Sequence, residues 1–229
     1  MRIVVAAKAA AVDLCTHLEN VERVRIRFTG RARNETLAEA TVQCGVRVLR
    51  VQLVAATESV VQILVGRLER KLVSAADGIP SWWSGSIDPR LTCASDTKPI
   101  VRRKLVRLRR CAPCDAACDL EASDYSARLF TDSDTGEDAV VFRPGSRSAD
   151  PSALVLQRRR ARRQPVDDPA PHLFVVAAPA SVMTEAAAMR ELCEKGLASL
   201  FFIDDCWSRG RLLYRRYDQR LGLVIPTSG

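Results

Sequence analysis

Residues 127–143 read ARLFTDSDTGEDAVVFR, and residues 199–215 read SLFFIDDCWSRGRLLYR. Laid over one another, Phe130 falls on Phe202, Asp132 on Asp204, Val140 on Leu212, Val141 on Leu213, Phe142 on Tyr214 and Arg143 on Arg215, a constant offset of 72 residues without a gap. In the first copy, Ala127–Thr131 and Asp138–Phe142 flank Asp132-Ser133-Asp134-Thr135-Gly136-Glu137, a polar, Gly-containing hairpin connection. A helix repeats as well: Thr184–Cys193 (TEAAAMRELC) has a Thr N-cap with Glu185 in its first turn, and sits where Ala112–Ala122 predicts a helix. The chain therefore carries an internal duplication of a small βαββ-type unit. The second copy runs on through Tyr217-Asp218-Gln219-Arg220 into a strand at Leu221–Ile225, where the first has Pro144-Gly145.

These units have a packing problem. Leu200-Phe201-Phe202-Ile203 and Leu212-Leu213-Tyr214 are apolar on successive residues, so both faces of a small sheet need cover. One helix covers one face, and the other predicts a second sheet, from the other copy or from another molecule.

Working back towards the N-terminus, Asp77–Thr97 contains Gly78, Pro80, Trp82, Trp83, Gly85 and Pro89 without a period and reads as a linker. Its tryptophans read as packing anchors ahead of base-stacking platforms. Before it, residues 21–28 (VERVRIRF) set Val24, Ile26 and Phe28 against Arg23, Arg25 and Arg27, a half-buried strand with one basic face. Leu37–Cys44 and Val46–Val54 continue as strands joined at Gly45. Val61, Leu64, Leu68 and Leu72 then line one face of a helix at Glu58–Leu72, with Arg67, Arg70 and Lys71 towards the other. Arg2–Val5 and Ala9–Leu18 predict a short first strand and helix. The fold class is α+β: an N-terminal βαβββα-like domain with an abbreviated start, then two βαββ-type tails. The boundaries are 1–76 for the N-terminal domain, 77–97 for the linker, 98–144 for the first tail, 145–172 for a basic tether with Arg158, Arg159, Arg160, Arg162 and Arg163, and 173–229 for the second tail.

Composition limits the function. The 229 residues are 47% hydrophobic, enough for real cores, and 35 Lys+Arg against 27 Asp+Glu give a net charge of +8, which favours an anionic partner, nucleic acid ahead of acidic membrane. Met1–Cys15 is interrupted by Lys8 and Asp13, so it predicts neither a signal peptide nor a membrane span, and a cytoplasmic protein is expected. Eight scattered cysteines without an export signal predict free thiols. His17 and His172 are the only histidines, and no G-x-S-x-G, P-loop or H-E-x-x-H pattern occurs, so no enzyme is expected. Cys111, Cys114 and Cys118 have short thiolate spacing but lack an evident fourth ligand, and predict core packing along one helix face, with no metal and no cofactor. Asp132–Gly136 departs from a calcium loop, with Gly fifth and Arg143 twelfth.

The segments Leu129-Phe130-Thr131-Asp132 and Thr135–Arg143, preceded by Ile100-Val101-Arg102-Arg103-Lys104, resemble the tail of the long-form ribosome hibernation promoting factors. So do Leu212–Asp218 and Leu221–Pro226. Two tails in one chain look most like the twin-tail, dormancy-associated translation inhibitors of high-GC bacteria. The resemblance implies a non-enzymatic factor whose partners are the 30S ribosomal subunit, the 70S ribosome and 16S rRNA. It would occupy the decoding channel, exclude mRNA and tRNA, and inhibit translation in dormancy or stress. The rRNA-binding residues it selects are Arg23, Arg25, Arg27, Arg47, Arg50, Arg67, Arg70 and Lys71, because guanidinium groups chelate phosphate oxygens bidentately. In that family the tail pairs two molecules. With both tails on one chain, intramolecular pairing through Phe130, Val140, Phe142, Phe202, Leu212 and Tyr214 is favoured over a homodimer. The alternative function is a regulatory adaptor acting through the tails.

Overall fold

The computed structural model describes residues 9, 21–30, 34–76, 96–144, 153–160 and 173–227. The expected first strand, nearly all of the expected first helix, and Trp82 and Trp83 lie outside them. The chain divides into two compact units, residues 1–81 with 121–124, and residues 82–120 with 125–229.

In the first unit, β1 (Val21–Gly30), β2 (Glu35–Cys44) and β3 (Arg47–Ala56) form an antiparallel sheet in that order, followed by α1 (Val60–Ala76). Alternation decides what faces the helix. Ala38, Ala40 and Val42 of β2 and Leu49, Val51 and Leu53 of β3 are buried with Val60, Leu64, Leu68 and Leu72 of α1, and Val24, Ile26 and Phe28 of β1 pack on the same cluster. The small alanines of the central strand let the helix approach closely. The tight β2–β3 connection turns at Gly45 with φ at 56°, where an L side chain would be strained.

The second unit holds both tails. After β4 (Ile100–Val106), the first runs β5 (Arg110–Cys111), α2 (Pro113–Ser123), β6 (Ala127–Asp132), β7 (Asp138–Phe142) and β8 (Leu154–Arg158). The second runs β9 (Leu173–Val175), β10 (Val182–Met183), α3 (Glu185–Glu194), β11 (Ser199–Asp204), β12 (Gly210–Arg215) and β13 (Leu221–Pro226). The duplication extends to individual backbone hydrogen bonds. Thr131 N donates to Arg109 O and Ile203 N to Ser181 O, while Arg143 N donates to Ser126 O and Arg215 N to Ala198 O. Gly136 and Ser208, equivalent under the offset, both have positive φ, 68° and 51°.

Two findings revise the linear reading. The strand that follows β7 in the first copy is not replaced by Pro144-Gly145. It is displaced to Leu154–Arg158, inside the stretch read as a tether, and pairs antiparallel with β7. Its Arg158 is buried, with Nε donating to Asp132 Oδ2 at 2.7 Å. Secondly, the leading strands are exchanged. The five-stranded sheets have the orders β5-β6-β7-β8-β9 and β10-β11-β12-β13-β4, so β4 of the first tail ends the second tail's sheet and β9 of the second ends the first's. Both additions are parallel, β4 to β13 and β9 to β8.

Each tail sheet covers one face with its own helix. Ala116, Ala117 and Leu120 of α2 are buried with Phe130, Ala139, Val141, Leu154 and Leu156, and Ala188, Leu192 and Cys193 of α3 with Phe202, Leu213, Leu221 and Leu223. A further cluster draws on both sheets: Ala127, Leu129 and Val140 from the first tail, and Ala180, Phe201, Ile203 and Leu212 from the second.

Candidate functional site

Strand register sorts the basic residues of the first unit. Arg23 lies opposite Gln43, Arg25 opposite Thr41 and Arg27 opposite Glu39, and these in turn lie opposite Val48, Arg50 and Gln52. Directly opposed residues share a face, so Arg23, Arg25, Arg27 and Arg50 stand together on the sheet face away from α1. Alternate residues of a strand are about 6.8 Å apart, which spaces the three arginines of β1 in an even row. All three are exposed, and among the described residues none forms an ion pair. Arg50 differs: it donates to Glu39 Oε1 and, at 3.2 Å, to Gln52 Oε1, so it offsets the one carboxylate in the middle of this face.

The other expected contacts lie elsewhere. Arg47 is exposed at the start of β3, on the helix side by alternation. Arg70 folds back so that Nε donates to Gly66 O at 3.1 Å, and Arg67 is half-buried on α1. Lys71 Nζ donates to Arg50 O at 2.8 Å, so its ammonium is held against the backbone of β3. The eight residues thus do not form one patch: Arg23, Arg25, Arg27 and Arg50 share a face, and Arg47, Arg67, Arg70 and Lys71 do not join it. The exposed row of Arg23, Arg25 and Arg27 suits a polyanion, because exposed guanidinium groups shed hydration and chelate phosphate oxygens, while Arg50 is engaged with Glu39.

In the tails, Val140 and Leu212 are buried in the cluster between the sheets, and Phe142 packs at its edge. Phe130 and Phe202 do not reach it. Both lie fully buried on the opposite face beneath α2 and α3, since Leu129, not Phe130, pairs across from Val140, and Phe201, not Phe202, across from Leu212. Tyr214 lies over Gly222 of β13, and Lys104 Nζ of the exchanged β4 sits 5.4 Å from its ring and 5.7 Å from that of Tyr125. Leu129, Phe201, Ile203 and Asp138 stand at the contact between the sheets but are not among the residues expected there from the sequence. Following the two-residue period outward from Val140 and Leu212 through the hairpin register finds the first three.

The exchange of β4 is fastened by Arg103, which donates through both terminal nitrogens to Glu185 of α3, Nη1 at 2.7 Å. That hydrogen bond holds the Glu185 carboxyl below the usual glutamate range. A depressed carboxylate contributes stability above its unfolded value, about 4.3, which is lost as the pH falls through the folded value. Glu185→Gln is therefore expected to lower stability by about 0.5–1 kcal/mol at neutral pH, the scale of an exposed pair. The difference from the unaltered chain narrows as the pH is lowered below about 4.3, followed by thermal unfolding at a series of pH values.

Cysteines and acids give local structure. Cys111 belongs to β5 and is buried, because the helix begins at Pro113, a residue suited to a first helical position. Cys114 is half-buried and Cys118 exposed, so the three thiols do not share one face. Asp132 accepts from Asp134 N at 3.0 Å and closes the β6–β7 hairpin. Its counterpart Asp204 accepts from Trp207 N at 2.8 Å and pairs with Arg211 at 2.9 Å. Asp204, Asp205 and Cys206 are the only metal-ligand group among the described residues, and Asp204 is already engaged in its turn. None of the described helices is long and apolar enough to cross a membrane.

Residues 95–146 match the family model described as the C terminus of sigma 54 modulation/S30EA ribosomal protein. This covers the exchanged β4, α2 and the β6–β7 hairpin. The chain is also 46% identical over 136 residues to proteins named dormancy associated translation inhibitor from two strains of Mycobacterium tuberculosis, covering 56% of this chain and 48% of those proteins. It thus spans about half the length of the curated relatives that it matches. The matched tail and this identity support the resemblance of the chain to the long-form hibernation promoting factor family.

Proposed function

We propose that the chain is a translation inhibitor that binds the small ribosomal subunit in its decoding channel and holds ribosomes inactive in the cytoplasm during dormancy or stress. It acts by binding, without a reaction. The observation that carries this reading is the identity with dormancy associated translation inhibitors, extending over 136 residues. The exposed row Arg23, Arg25 and Arg27 on a helix-backed sheet supports it independently. A rigid row of guanidinium groups recognises the shape and phosphates of folded RNA such as 16S rRNA without reading its sequence.

The tails pair with one another inside one chain in this reading, leaving a monomeric factor on a single 70S ribosome. The exchanged strands β4 and β9 and the cluster between the sheets support this. A tethered partner has an effective concentration in about the millimolar range, well above that of a second copy.

Cell-free translation with purified ribosomes tests the function. Added protein is expected to stop synthesis from a reporter mRNA, and raising the salt is expected to weaken its pelleting with small subunits steeply, since each neutralised phosphate releases counterion. Full synthesis at a large excess of factor over ribosomes contradicts the reading.

A further inference from the structure

The two tails carry opposite charge at one place where they touch. Under the 72-residue offset, Glu137 corresponds to Arg209 and Asp138 to Gly210. Asp138 Oδ2 accepts from Gly210 N at 2.8 Å, its own counterpart, so the pseudo-twofold axis relating the tails passes between these residues. Arg209 completes the contact with Nε on Oδ2 at 2.8 Å and Nη2 on Oδ1 at 3.2 Å. Asp138 is 5% exposed, so its charge depends on these donors. Shape matches charge: a Cβ on Gly210 would stand 2.7 Å from the Cβ of Asp138 and 2.6 Å from the Phe201 ring, so the glycine is the space that the aspartate fills.

The geometry points to a selectivity element: Asp138 on the first tail, with Arg209 and Gly210 on the second, directs each tail onto the unlike tail and rejects pairing of like tails. It rests on the reading that the two tails pair within the chain. If two first tails met about the same axis, each would bring an aspartate to the position that now requires glycine. Two carboxylates would then be buried together without Arg209, beside two copies of Glu137, whose own partner Arg160 stands at 3.3 Å and is largely exposed. If two second tails met, Arg209 would face Arg209, and the Gly210 N–H would lose its carboxylate. An interface between identical surfaces must complement itself, and neither tail does so here. Only the unlike pair satisfies both charge and space, the usual way in which a partner is chosen by excluding the wrong one. The occupant of each tail's open sheet is thus the other kind of tail, in the same chain first and in a second copy only by exchange.

Full-length variants and their mixture test this. Arg209→Glu sets two acids against each other, and Asp138→Lys sets two cations. Each is expected to lower the apparent Tm by about 5 °C, the scale of a like charge set against a buried site whose partner is half-exposed, in a unit of this size. Asp138→Lys with Arg209→Glu in one chain restores the opposition of charge and should recover at least half of the loss, which also shows that the single variants can fold. Native mass spectrometry of an equimolar mixture of the two single variants should give a heterodimer, since each tail then finds a complementary partner only in the other molecule. Neither variant alone should dimerise. Single variants that melt like the unaltered chain, a double variant no more stable than either single one, or homodimers of a single variant would overturn the selectivity element. An unaltered chain that is itself dimeric would instead overturn the intramolecular reading, so the two failures are distinguishable.

Discussion

Asp132→Ala is expected to destabilise the tail unit by about 3–5 kcal/mol, because it leaves a guanidinium buried without its counter-ion. The Asp132 side chain is fully buried and that of Arg158 is 5% exposed, with Nε on Oδ2 at 2.7 Å. Arg158 Nη1 already lacks a partner, so the guanidinium has little with which to replace the lost carboxylate. The same substitution removes the acceptor for Asp134 N and loosens the β6–β7 turn. A loss of this size is a large part of the roughly 5–15 kcal/mol that holds a typical domain folded, and it should lower the apparent Tm by about 10 °C. Calorimetry checks it, with Asp132→Leu combined with Arg158→Met as the control, since exchanging a whole buried pair for apolar groups is often neutral. A drop below about 1 kcal/mol in the alanine variant would mean that the pair is not buried in solution.

The second large effect lies in the first unit. Replacing Arg23, Arg25 and Arg27 together by alanine is expected to weaken binding to purified small subunits by about 100-fold, taking each charged contact at a modest 1 kcal/mol or so. The slope of log affinity against log salt should fall by about 2, three phosphate contacts at about 0.7 each. Folding should be unaffected, because the three side chains stand on the face opposite Val24, Ile26 and Phe28. Pelleting across a salt series measures both quantities, and circular dichroism checks the fold. Unchanged pelleting of a folded triple variant would remove this face from the account.

What the sequence discloses and what it hides follow from the range of the interactions. The β1 alternation and the helices at Pro113 and Glu185 are local, so a period of two or 3.6 residues and an N-cap suffice to place them. Thr184 Oγ1 does accept from Ala187 N, at 3.2 Å. The exchange of β4 is a pairing across some 120 residues, between Leu221 and Ile100, and that of β9 joins Leu173 to Leu154 across a stretch that reads as a tether; nothing in either strand names its partner. The strand Leu154–Arg158 is hidden for another reason. It opens a run of arginines, and a charge run reads as solvated surface even where, as with Arg158, a buried aspartate waits for it. Choosing Phe130 and Phe202 for the face between the sheets follows size instead of register. The larger ring goes to the helix side, and the smaller Leu129 lies across from Val140. The basic face is half legible for the same reason. Arg23, Arg25 and Arg27 share one strand, whereas the carboxylate of Glu39 reaches Arg50 only through cross-strand register.

Sedimentation through a sucrose gradient, with purified 30S subunits and 70S ribosomes, tests the central claim most directly. The account predicts that the full chain migrates with 30S subunits and with single 70S particles, and that the Arg23, Arg25 and Arg27 triple variant stays near the top. A chain that remains at the top of the gradient at low salt, folded and in excess, would contradict it.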